Sequence, residues 1–175
     1  MDPKRPEAAP RTVFADPAGR IYDLNLSLDA RTIYFSYAKH GEKHWHLWRI
    51  GIDGTGLRQI TDGPFYDVSP CETPDGNLVF VSTRRFGHTV CQPGPASNLH
   101  RVSPEGGEPQ CLSMNTLSDT TPQLLPDGRV IFMRWEYVDR DLTYRQSLWT
   151  QNPDGTGYQL YFGNTLRDPG TLWQA

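Results

Sequence analysis

Pro74-Asp75-Gly76-Asn77-Leu78-Val79-Phe80-Val81 and Pro126-Asp127-Gly128-Arg129-Val130-Ile131-Phe132-Met133 are two copies of one turn followed by one strand. Proline fixes φ, the aspartate side chain bonds back to the backbone, and glycine is free to take φ > 0; together they make a tight hairpin. The apolar runs that follow have strand length and suit strands buried on both faces. A looser copy stands earlier, at Leu28-Asp29-Ala30-Arg31-Thr32-Ile33-Tyr34-Phe35.

Working outward, the repeat widens. Asp23, Asp67, Asp119 and Asp168 are 44, 52 and 49 residues apart. A second block, Leu47-Trp48-Arg49-Ile50, matches Leu99-His100-Arg101-Val102 and Leu148-Trp149-Thr150-Gln151. Six residues after each leucine stands Asp53, Glu105 or Asp154, always followed by glycine, and thirteen after it Ile60, Leu112 or Tyr161. Fixed offsets over that span mark a structural repeat of four antiparallel strands. Such a sheet has two faces to bury and does so against copies of itself by radial stacking. A two-layer sandwich of the same strands leaves the period of roughly fifty residues unexplained.

The fold expected is therefore all-β: a partial β-propeller of about three four-stranded blades plus the first strand of the next. The strands are predicted at 12–15, 20–24, 31–37, 45–50 and 57–61, then 66–70, 77–82, 98–102 and 109–113. They continue at 118–124, 129–135, 146–151 and 157–161, with 171–174 opening a further blade. Residues 1–11 read as a disordered lead without a signal segment, and 12–175 as one incomplete propeller with units near 20–65, 66–117, 118–167 and 168–175. Rings of this kind need four to eight blades. Either the remainder of a larger propeller protein closes the ring, or self-association does.

The 175 residues carry a formal charge of -3, which argues against a nucleic-acid partner, and no apolar run is long enough for a helical membrane span. Three cysteines are too few for a disulfide scaffold.

The Pro-Asp-Gly turn before an apolar strand, with Leu-Trp and Asp-Gly-Thr-Gly further on, resembles the TolB-type (PD40, WD40-like) propeller repeat, most clearly at 66–82, 99–113 and 118–161. The stretch from Asp127 to Arg140, with Ser147 to Gly157, resembles proteins of planctomycete-type bacteria related to the middle domain of the hydrazine synthase alpha subunit. That resemblance implies a scaffold or binding module, or else part of a redox enzyme whose haem-binding region lies outside this chain. It also implies a periplasmic or exported parent. No Cys-x-x-Cys-His stands in the sequence, so no c-type haem attaches within it.

The candidate sites each have a plainer reading. Asp23, Asp67, Asp119 and Asp168 head the strands that line a propeller channel and could hold a divalent cation, or each could cap a local turn. Cys71, His88 and Cys91 offer zinc ligands, a Cys71–Cys91 disulfide, or free thiols. Cys111 reads as a small core residue. His40, His44 and His46 surround a hairpin and offer metal ligands, or read as solvated hairpin histidines. Arg134, Trp135, Glu136, Tyr137 and Tyr144 mix aromatics with both charge signs, as a recognition loop does, or pack between blades. Ser82, Ser97 and Ser103 lack the surroundings of a nucleophile. Nothing marks a catalytic residue, and a protein or small ligand is the expected partner.

Overall fold

A computed structural model describes residues 9–89, 93–136, 146–163 and 172; among them every regular element is a strand. The first sheet runs β1 (Arg20–Leu26), β2 (Thr32–Ala38), β3 (His46–Gly51), β4 (Arg58–Gln59). The second runs β5 (Asp67–Glu72), β6 (Leu78–Ser82), β7 (Asn98–Val102), β8 (Gln110–Cys111). The third runs β9 (Asp119–Leu124), β10 (Val130–Trp135), β11 (Gln146–Gln151), β12 (Gln159–Phe162). Each is an antiparallel meander, and β1, β5 and β9 pack side by side as the inner strands. These are three blades of a β-propeller.

The blades interlock as the repeat requires. Tyr34, Leu47 and Ile60 of the first blade close on Leu78, Phe80 and Val102 of the second. Val79, Val81 and Leu99, on the opposite face of the second blade, close on Val130 and Phe132 of the third. Alternate residues of β6 thus feed two different cores, which explains why that strand is apolar throughout. Backbone bonds tie one blade to the next at matching places: the Asp67 N–H donates to the Trp45 carbonyl and the Asp119 N–H to the Ser97 carbonyl, both at 2.9 Å.

The first hairpin holds one residue more than the others. Ser27 closes on Thr32, whereas Thr73 closes on Asn77 and Leu125 on Arg129. Ala30 stands there at φ 57°, the left-handed conformation that glycine takes without penalty at Gly76 and Gly128. Past this turn the first blade is therefore offset by one from the alignment that the sequence suggests, and Phe35 rather than Tyr34 corresponds to Phe80.

Two further expectations are corrected. Residues 12–15 form no strand; Val13 and Phe14 instead lie against Phe35, Tyr37, Trp48 and Ile50, on the face of the first blade that a preceding blade would cover. The outermost strands β4 and β8 shrink to two residues, because Ile60 and Thr61 both turn their N–H groups to the Leu47 carbonyl. Leu112 and Ser113 do the same toward Leu99. This repeated bulge ends the ladder, and the Thr61 and Ser113 hydroxyls then accept the N–H of Leu47 and Leu99.

Candidate functional site

At the junction of the first two blades Asp67 is wholly buried. Its carboxylate accepts from the Ser82 hydroxyl at 2.6 Å and from Arg84 at 2.6 and 3.2 Å, with His46 Nδ1 3.6 Å away. Burial alone would raise its pKa, but the adjacent His46 ring and the bonds from Arg84 and Ser82 prevail and hold it below the usual carboxylate range. Asp119, one blade on, is equally buried but less well met: Arg134 Nε stands 4.0 Å off, Asn115 Nδ2 at 3.1 Å and the Tyr158 hydroxyl at 3.3 Å. There burial prevails, and the pKa is raised. Both aspartates are turned into blade junctions. Asp168 lies outside the described residues.

The inner wall shows a different position in common. Asp23, Ser69 and Thr121 occupy the same place in β1, β5 and β9, at φ 45°, 56° and 52°, each where the ladder to the second strand slips. Non-glycine residues in this conformation cost about 1–3 kcal/mol each. Asp23 therefore stands two residues past the position of Asp67 and Asp119, contrary to the spacing of aspartates in the sequence. Its carboxylate accepts the Ser69 hydroxyl, and these residues with Thr121 and Gln123 line a small notch of about 180 Å³.

A larger hollow, about 490 Å³, opens at the loop end of the same junction. One wall is the β2–β3 hairpin with Lys43 and His44, the floor is the connector Pro64-Phe65-Tyr66, and the other wall is the β6–β7 loop with Arg85, Phe86 and His88. His44 stacks edge-on against Tyr66, ring centroids 4.8 Å apart. Its burial and the Lys43 ammonium push its pKa below the ordinary histidine value, so the ring is neutral at pH 7. Arg85 is anchored by donating to Asn98 Oδ1 at 3.2 Å and to the Asn115 carbonyl at 2.7 Å. Phe86 is 97% exposed. No Asp or Glu is among the described lining residues.

The remaining sequence candidates are dispersed. Cys71 carries a free thiol buried in β5 opposite Val79, and burial, helped by Glu72, pushes its pKa up to about 12. His88 is exposed on the loop, and Cys91 lies outside the described residues, among which no three His, Cys, Asp or Glu side chains converge as metal ligands. Cys111, expected in the core, is exposed on edge strand β8, while its neighbour Leu112 packs inward. His46, expected in solvent, is buried because its face of β3 turns toward Asp67. Arg134 lies in β10, stacked on the rings of Trp149 and Tyr158 and bonded to the Tyr158 hydroxyl, so it belongs to the framework. Trp135 ends that strand, Glu136 follows it, and Tyr137 and Tyr144 lie outside the described residues. Sequence reasoning marked the loop containing Phe86 for its cysteine and histidine; the groove it walls had no signal beyond the loop's length and irregular composition.

No protein-family model matches the chain. A 65-residue stretch is 37% identical to an uncharacterised protein of Agrobacterium fabrum, covering 37% of this chain and 22% of that protein. Among solved structures, hydrazine synthase of Kuenenia stuttgartiensis superposes with a TM-score of 0.73 at 19% identity, over 82% of this chain and 25% of that one. A TolB structure from Agrobacterium tumefaciens gives 0.67 at 18% identity, over 87% of this chain and 52% of that one. A chain of a nidogen/laminin complex gives 0.64 at 14% identity, over 89% of this chain and 53% of that one. These likenesses establish the shared propeller fold. The chain spans about a fifth of the curated relative and a quarter to a half of these structures.

Proposed function

We propose that the chain is a non-catalytic propeller module that binds its partner in the groove at the loop end of the first blade junction. The observation that carries this reading is the groove itself. Its volume of about 490 Å³ falls within the usual span for ligand sites, roughly 300–1,000 Å³, and aromatic walls surround a few placed polar groups. It is built by three connectors from two blades, and loops on a rigid scaffold are where binding concentrates. The shared propeller fold supports a binding or scaffold role in general terms; the location is the finer part of the proposal.

The scaffold half of the reading rests on the flank of the first blade. Ile21 and Leu24 are exposed there, and with Ile33, Phe35 and Ile50 they line an apolar hollow of about 170 Å³. The matching faces of the next two blades are covered by Tyr34, Leu47 and Ile60, and by Val79, Val81 and Leu99. A face of the same kind, in a larger propeller or a second copy, is the fitting cover.

The binding site is tested by titrating the ¹⁵N-labelled chain with a fragment library. Amide shifts are expected to gather on Lys43–His44, Phe65–Tyr66 and Arg85–His88, and Tyr66→Ala is expected to weaken those hits about fivefold or more. Hits confined to the flank around Val13 and Ile50, or absent altogether, overturn the reading.

A further inference from the structure

We infer that the groove is selective for small anions with a flat apolar body, of the aryl carboxylate class; this deepens the binding reading and rests on it. Two observations carry it. The first is charge. Arg49, Arg58, Arg84, Arg101 and Arg129 are paired with carboxylates, whereas Arg11, Arg20, Arg31 and Lys39, away from the groove, form no ion pair among the described residues. Lys43 and Arg85, on opposite walls of the groove, form no ion pair among the described residues, and none of the described lining residues is an acid. Among the described lining residues an anion entering this space meets Lys43 and Arg85 and no carboxylate.

The second is shape. Phe65 and Tyr66 make an aromatic floor, with the Arg84 guanidinium over one face of the Phe65 ring, and the almost wholly exposed Phe86 ring stands in the loop wall. Flat faces suit ring stacking, which favours an aromatic body over a bulky aliphatic one. Arg85 is held by Asn98 and Asn115, so part of the anion site is set before a ligand arrives. His44 is neutral at pH 7 and supplies a hydrogen-bonding edge without adding charge.

The experiment uses 2-naphthoate, its neutral counterpart 2-naphthylmethanol, and cyclohexanecarboxylate, each titrated by calorimetry and by amide shifts on the whole chain. The naphthoate is expected to bind in the groove at least about tenfold more tightly than either of the others, the size of one charge-assisted hydrogen bond or one stacked ring. Lys43→Glu is expected to abolish the preference for the acid over the alcohol, and Phe86→Ala to weaken both aromatic ligands about fivefold. Both side chains are exposed, so neither change disturbs the core. Equal affinity for acid and alcohol overturns the anion, and equal affinity for the two acids overturns the planar body. If no probe binds while library hits still gather on the groove, this inference fails and the binding site stands; if neither occurs, both fail.

Discussion

Asp67 and Asp119 hold one position in successive blades and are equally buried, yet their surroundings push them in opposite directions. Asp67 has a well-placed guanidinium and a hydroxyl; Asp119 has an amide, a phenol and a guanidinium only at 4.0 Å. A depressed folded pKa means stability that is present above the unfolded value near 4 and is lost as pH falls through the folded one. A raised folded pKa means the reverse: the favourable contribution lies at low pH and is lost as pH rises. Asp67→Asn is therefore expected to cost about 3–5 kcal/mol at pH 7, since it strands a partly buried arginine, and less at pH 3. Asp119→Asn is expected to be neutral or stabilising at pH 7. Urea unfolding at the two pH values checks both, and equal losses for the two variants would contradict the assignment. The recurrence of these aspartates was legible in the sequence. Their roles were not, because the partners that decide them come from other strands and from the connector between blades.

Each blade is a meander; in the first two the second strand serves two cores, and the apolar run at 78–81 announces this without any coordinates. Phe80 sits fully buried between the first and second blades. Phe80→Ala is expected to cost about 3–5 kcal/mol, as large aromatic truncations in cores do, whereas Tyr161→Ala on the half-exposed outer strand should cost less than about 1. Chemical denaturation distinguishes them; similar losses would mean that the blade interface is not the stabilising core. The strands were legible to within a few residues except at the outer edge. There the hydrophobic pattern continues past the bulge at Ile60 and Leu112 while the ladder stops, since side-chain alternation does not record where backbone bonds shift. The extra residue in the first hairpin escaped for a related reason: Leu28-Asp29-Ala30 looks like the later turns, and only strand pairing reveals the slip.

Across the whole molecule, the uneven covering of blade faces is the dominant physical fact. The junctions within the chain bury their apolar residues, while the flank of the first blade leaves Leu24 70% exposed beside an apolar hollow. Taken alone in solution, the chain is expected to self-associate as its concentration rises, with Leu24→Lys suppressing the association and leaving the unfolding midpoint unchanged. Sedimentation velocity over a hundredfold concentration range reads this; a monomer throughout would show that Val13 and Phe14 cover enough of the flank by themselves.

The repeat, the Pro-Asp-Gly hairpins, the four-stranded units and their stacking as propeller blades were determined by the sequence, because each depends on turn chemistry and apolar alternation within some fifty residues. Only the tertiary structure decided that Asp23 aligns with Ser69 and Thr121, that Asp67 meets Arg84 and His46, and that Lys43, Tyr66 and Arg85 share one groove. Those relations join residues from separate connectors and blades. They arise when apolar faces lock at a particular register and angle, which no local pattern along the chain encodes.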